Sequence, residues 1–238
     1  QDSRVEYVVP NITVRAFEEP DDPKFSDQWS LKKIEATKAW RQTKGSKKIV
    51  VAVIDTGVAK HEDLIEQFFT NTQEIANNGI DDDNNGYVDD VHGYDFHEND
   101  PDANDDTSEK NPGHGTHCAG IIAATSNNGV GVSGVVDTSI MPIRFLGADG
   151  SGNLMNAVKA IDYAINNGAH IISASWGAAV ARHFARSGAQ GLVICGRNLK
   201  NGERVAQSIT NETGIKVNSV AKSLHISKLL KGEVPTDV

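Results

Sequence analysis

The chain has 238 residues, a formal net charge of −9 and 38 % hydrophobic content, enough for one α/β domain with a sizeable core. The acidic balance argues against a nucleic-acid surface, and neither nucleic acid nor membrane is expected as a partner. The two cysteines, Cys118 and Cys195, could pair only if the fold brings their Cα atoms within about 7 Å, and disulfide stapling is not required at this length.

The first strong element is Lys48 to Val58, an apolar run of the length of a buried parallel strand that ends in Asp55 and a glycine turn. An acid there stands at the carboxyl edge of a strand, where open α/β sheets place their chemistry. Much of the acid of the chain follows between Asp81 and Asp106. Within it, Asp81, Asp83, Asn85, Asp89 and Asp90 alternate carboxylate and amide oxygens around a glycine turn, the hard-oxygen supply that Ca2+ takes. The run resembles the first half of an EF-hand loop but lacks its closing glutamate. Next, Gly113 to Ala124 reads as a helix opening at His114, built from small residues that let another backbone pack against it. Met141 to Leu146 is a further buried strand. Asn153 to Asn167 has helical periodicity and stops at Gly168, and His170 to Gly177 is the next strand.

The Asp-Thr-Gly at Asp55 and the His-Gly-Thr-His-Cys-Ala-Gly at His114, in this order, resemble the subtilisin-like serine proteases, closest to the thermitase branch. The resemblance implies that Asp55 and His114 are the acid and base of the catalytic triad. It implies a three-layer α/β/α fold with a mainly parallel central sheet. It implies a peptide or protein substrate, added as a strand between Gly150, Ser151 and Gly152 on one side and Ser175, Trp176 and Gly177 on the other. It also reads the acidic run as a calcium insertion loop. Two further Ca2+ sites follow: Asp22, Asp63 and Asn128 with the carbonyls of Thr125, Val130 and Val132, and a second group of Asp95, Asp100 and Asp102. By the same likeness Val5 to Asn11 is the last strand of the chain's own propeptide, with cleavage between Arg15 and Asp22. The protein is then extracellular and monomeric, its signal peptide not within these residues.

The family's serine motif is absent: neither Gly-Thr-Ser nor Ser-Met-Ala occurs in the 238 residues. After Gly177 the text instead resembles a short-chain dehydrogenase/reductase, with a helix at Ala178 to Ser187, a strand at Leu192 to Cys195 that joins the sheet, a helix at Asn201 to Gly214 and a third strand from Ile215. Ser175 and Ile171 stand where that family's phosphate-binding glycines belong, and no Tyr-x-x-x-Lys follows. Asn198 falls near the position of the oxyanion asparagine, displaced by Arg197. Ser219 to His225 faintly echoes the serine motif and is expected as surface loop or helix. The organisation is therefore a propeptide end and linker at 1–20, the N-terminal part of a subtilase domain at 21–177 with a Rossmann-like continuation at 178–238. The expectation is a subtilisin-like endopeptidase, truncated or chimeric and without its nucleophile. The alternatives are a calcium-binding pseudoprotease and an NADP-binding reductase fragment.

Overall fold

The computed structural model describes residues 19–176, 186, 192–196 and 199–221. Its centre is β1 (Gly45–Asp55), exposed over its first five residues and buried from Val50 onward. β1 lies between β3 (Asp137–Arg144) and β4 (Ile171–Ser173), and β2 (Tyr94–Asp95) adds beyond β3, giving the order β2-β3-β1-β4 with every pairing parallel. Each strand thus ends on the same edge of the sheet.

Side chains alternate across a strand, so β1 feeds two cores. Val50, Ala52 and Ile54 pack with Tyr94, Phe96, Met141 and Ile143 against Ala157, Ala160, Ile161 and Ala164 of α4 (Leu154–Asn166). Val51 and Val53 face the other way, onto Ala119 and Ala123 of α3 (His114–Ala123), with Val58, Leu64 and Ile140. A parallel sheet with a helix on each face is a three-layer α/β/α arrangement. Val53, Ile54, Met141 and Ile143 are completely buried, each contributing about 1.5–3 kcal/mol.

The caps explain where the helices begin and stop. Asn153 accepts the backbone N–H of Asn156 in front of α4, and Gly168, at φ 78°, ends it. Ahead of β1, the short helices α1 (Trp29–Lys33) and α2 (Ala36–Ala39) close a small cluster of Phe25, Leu31 and Ala36 against Trp40 and Val135.

The last part differs from the sequence expectation. β5 (Leu192–Gly196), α5 (Leu199–Thr213) and β6 (Val217–Ala221) form a β–α–β unit, but β5 pairs with β6 in a separate two-stranded sheet and does not extend the main one. Ala206 and Ile209 of α5 pack on Val217 and Ile215, so the unit closes a small core of its own. Ser219 lies in strand β6, not in a loop or helix. The readings made for Val5 to Asn11, for Ala178 to Ser187 except Arg186, for Gly177 and for Asn198 lie outside the described residues.

Candidate active site and cation sites

Because the strands run parallel and β1 is flanked by β3 and β4, the end of β1 is bracketed by the loops that follow its two neighbours. Asp55, the last residue of β1, is 1 % exposed. Its Oδ1 accepts the backbone N–H of Thr56 at 2.8 Å and lies 2.7 Å from Nδ1 of His114, the first residue of α3. A carboxylate at Nδ1 fixes the tautomer with its hydrogen on that side, which leaves Nε2 as the acceptor. Nε2 makes no hydrogen bond among the described residues, and the imidazole is 53 % exposed.

The close approach of α3 to β1 depends on glycine. A Cβ on Gly115 would lie 2.2 Å from the carbonyl oxygen of Gly57 and 3.1 Å from Cβ of Asp55. The Gly115 N–H donates to Oγ1 of Thr56 at 2.9 Å, a second tie across the same gap. The residue before the helix, Gly113, has no side chain to cap it, so the free N–H groups are satisfied from a distance. Asn111 Oδ1 accepts from the N–H of Gly113 and of His114, and Asp105 Oδ2 accepts from both the N–H and the hydroxyl of Thr116. Asn111 Nδ2 in turn donates to Asp105 at 3.0 Å. A buried carboxylate at a helix N-terminus also opposes the positive end of the helix dipole. Thr116 belongs to the histidine motif, whereas Asp105 and Asn111 were not singled out from sequence; their only signal is polar residues crowded just ahead of a helix start.

The proposed groove residues within the described part, Gly150 to Gly152 and Ser175 to Trp176, fall on the two flanking loops. After β3, Gly147 accepts from Gly150 and donates to Ser151, while Ser151 donates through both its N–H and its hydroxyl to Asp149. These bonds hold the Asp149 carboxyl below its usual range. Gly152 is packed so closely that a Cβ would stand 2.5 Å from the Phe145 carbonyl oxygen. After β4, Trp176 Nε1 donates to the Ile54 carbonyl at 2.7 Å, and its ring rests on Phe145 with centroids 4.3 Å apart. Ser175 Oγ lies 3.6 Å from Cys118 Sγ, tying this loop to α3. Cys118 is a free thiol whose pKa is raised by burial.

The cation candidates separate clearly. Asp22 and Asp63, both buried, meet at the turn 125–132: Asp22 accepts from the N–H groups of Asn127 and Asn128, and Asp63 from Asn128 Nδ2 and the Val132 N–H. The carbonyl oxygens of Thr125, Val130 and Val132 accept no hydrogen bond among the described residues. A Cβ on Gly131 would lie 2.3 Å from Asp63 Oδ2, so only glycine lets the turn wrap the carboxylate. Two carboxylates, an amide and three free carbonyls are hard oxygen donors in the number calcium takes, and they fit it.

In the acidic loop, Asp83 and Asp90 come together with Glu74, each offering an oxygen within 4.8 Å of the others. Asn85 bridges them, its Nδ2 donating to both Asp83 and Asp90. Glu74 lies ahead of the run and was not picked out from sequence. It also accepts from the N–H groups of Asp82, Asp83 and Asp89. Asp90 is wholly buried beneath the Tyr163 hydroxyl, which donates to it at 2.6 Å, and burial pushes its carboxyl up. Asp81 and Asp89 are turned to other work, each clasping two successive N–H groups of a turn, at 85–86 and 78–79.

Asp95, Asp100 and Asp102 do not gather into a comparable cluster. Asp95 is buried and spent on Arg144, whose Nη1 donates to it at 2.7 Å, with the N–H groups of His97 and Glu98 on its other oxygen. Asp102 pairs with Lys60, and Asp100 Oδ1 accepts the Asp102 N–H. Asp95 is thus committed to a buried ion pair that a cation would have to displace, while Asp100 and Asp102 stay exposed.

Residues 46–226 match the model of the subtilase family, peptidase S8, a span that runs through β5, α5 and β6. Thermitase of Thermoactinomyces vulgaris is 37 % identical over 164 residues, 68 % of this chain and 49 % of that protein. The halolysin-like extracellular serine protease Nep of Natrialba magadii is 33 % identical over 178 residues, 74 % of this chain and 29 % of that protein. Among solved structures, fervidolysin of Fervidobacterium pennivorans, a keratinolytic enzyme related to subtilisin, aligns with a TM-score of 0.53 at 26 % identity, over 76 % of this chain and 26 % of its own. The chain thus spans half or less of the length of each.

Proposed function

The chain belongs to the subtilase family, and from that premise we propose that its folded part supplies the acid–base pair and the substrate groove of a subtilisin-like serine endopeptidase. The observation that carries the reading is the 2.7 Å contact of His114 with the buried Asp55 at the carboxyl edge of the sheet. A serine hydroxyl brought to Nε2 of His114 would lose its proton to that nitrogen as it attacks a peptide carbonyl, and Asp55 would steady the imidazolium. The Gly150–Gly152 and Ser175–Gly177 loops would hold the peptide as an added strand. We read the chain as extracellular, like the relatives whose names say so, with residues 1–20 as the end of its propeptide.

A second reading follows from one fact: no family serine motif occurs in these 238 residues. These residues by themselves would then bind peptide without cleaving it, as a calcium-binding pseudoprotease does. Calcium would sit with Asp22, Asp63, Asn128 and the carbonyls of Thr125, Val130 and Val132, and in the loop with Glu74, Asp83, Asn85 and Asp90. Its chemistry there is structural: it neutralises clustered carboxylates and ties distant loops together. The dehydrogenase-like reading of 178–238 has no support beyond a β–α–β order common to many sheets, and the family match crosses it.

The test is intact mass of the folded chain, in calcium, after exposure to a fluorophosphonate that labels activated serines. No adduct, together with quenching of Trp176 fluorescence by a peptide substrate that stays uncut, is the expected result. A stoichiometric adduct abolished by His114→Ala would show that a serine of this chain is already activated and would retire the pseudoprotease reading.

A further inference from the structure

The chain contains five Asn–Gly pairs, at Asn78, Asn85, Asn128, Asn167 and Asn201, and this dipeptide is the sequence most prone to spontaneous deamidation, because glycine leaves the following nitrogen unhindered. Three of them are built alike. In each, the preceding asparagine (Asn77, Asn84, Asn127) takes positive φ, and the asparagine side-chain oxygen accepts the N–H two residues on, that of Ile80, Tyr87 or Val130. This bond folds the side chain back over the glycine peptide and polarises the amide carbonyl. In each, the side-chain amide also donates to a carboxylate, of Asp82, of Asp83 and Asp90, or of Asp63.

They differ at the nitrogen that would attack. The Gly79 N–H is held by Asp89 and the Gly86 N–H by Asp81. Gly168 donates to the Ile165 carbonyl, and Asn201–Gly202 lies in helical backbone, in the first turn of α5. Of Gly79, Gly86, Gly129 and Gly168, only Gly129 donates to nothing among the described residues. It stands at φ 71° with open space where a Cβ would be, and Asn128 beside it is exposed. Where the other turns bind the glycine N–H, here Asp22 clasps the N–H groups one residue earlier, of Asn127 and Asn128.

We propose that Asn128 is a site of spontaneous deamidation. The Gly129 nitrogen, its proton lost to solvent base, attacks Cγ of Asn128; the new N–Cγ bond closes a succinimide as the Cγ–Nδ2 bond breaks and ammonia leaves. Water then opens the ring at either carbonyl, giving aspartate or isoaspartate. The product sets a third carboxylate beside Asp22 and Asp63, at the place where Asn128 Nδ2 now donates to Asp63 at 2.9 Å. A stabilising hydrogen bond becomes a like-charge contact, and in the isoaspartate the turn gains a backbone methylene.

The experiment incubates the whole chain in EDTA at mildly alkaline pH and follows each Asn–Gly peptide by mass spectrometry, with an isoaspartyl methyltransferase assay of the same peptides. Asn128 should gain its single mass unit several-fold faster than Asn78, Asn85, Asn167 or Asn201, and isoaspartate should dominate. Asn128→Gln should abolish the event. Asp89→Ala, which frees the Gly79 N–H, should bring Asn78 up toward the Asn128 rate. Equal rates at all five sites, or Asn78 or Asn85 leading in the unmodified chain, would overturn the proposal. The measurement is made without calcium, so it stands or falls independently of any cation at this turn.

Discussion

Gly115 and Gly120 lie on the same helix, and replacing each with alanine should move stability in opposite directions. Helix propensity alone favours alanine at both positions by about 1 kcal/mol. At Gly120 no atom lies within 4 Å of the added methyl among the described residues, so that gain should appear almost whole. At Gly115 the methyl would sit 2.2 Å from the Gly57 carbonyl oxygen, a backbone atom that no side-chain rotation can clear. Ordinary carbon–oxygen contact needs about 3.3 Å, so α3 would have to withdraw by roughly 1 Å. That motion stretches the His114–Asp55 and Gly115–Thr56 bonds, now 2.7 and 2.9 Å, to or past the limit of useful hydrogen bonding. Overpacking costs about 1–3 kcal/mol and each weakened bond about 1 kcal/mol. After the propensity gain, the net loss is about 2–4 kcal/mol. With a urea dependence of about 2 kcal/mol/M, the unfolding midpoint should fall by about 1–2 M for Gly115→Ala and rise by about 0.3–0.5 M for Gly120→Ala. Circular dichroism across a urea series reads both. A midpoint that rises for Gly115→Ala would mean that α3 does not need its close approach to β1, and the account of how His114 meets Asp55 would fail with it.

Replacing Arg144 with methionine strands the buried Asp95 carboxylate and should cost about 3–5 kcal/mol at neutral pH. Burial already holds this carboxyl above its usual value, with Arg144 pulling it down, so removing Arg144 raises it further. The folded state of the variant then binds the proton more readily than the unfolded chain, and its deficit should shrink as pH falls through the raised value; a deficit that grows on acidification would contradict this. Calcium at a hundred times its dissociation constant should add about 2.7 kcal/mol, seen as a rise in Tm that EDTA reverses, and Asp63→Asn should blunt it. A Tm indifferent to calcium, with no heat of binding by calorimetry, would remove both proposed cation sites. Tyr163→Phe takes one of the donors from buried Asp90 and should cost about 1–3 kcal/mol, measured by the same urea series in EDTA; no change would mean that water replaces the hydroxyl there.

Strand β1, helix α3 and helix α4 were legible because each carries a local signature: an apolar run, small residues after a histidine, and a stripe with an asparagine before it and a glycine behind. The meeting of Asp55 with His114 was legible through their motifs, although the two lie 59 residues apart. The sequence could not say that Glu74 turns in toward Asp83 and Asp90, that Asp95 is taken by Arg144, or that Asp105 reaches the first turn of α3. Each of these carboxylates looks the same in a string of acids, and which partner it meets depends on how loops cross above the sheet. The strand from Leu192 was read correctly as a strand and placed in the wrong sheet, since a βαβ pattern fixes local order but not the edge on which the unit settles. Periodicity, caps and turn residues act over a few positions, and so the chain by itself determines its elements and the family they resemble. Hydrogen-bond partners and ion pairs are chosen among groups far apart in sequence, where desolvation and close contact decide the winner, and that choice exists only in the folded molecule.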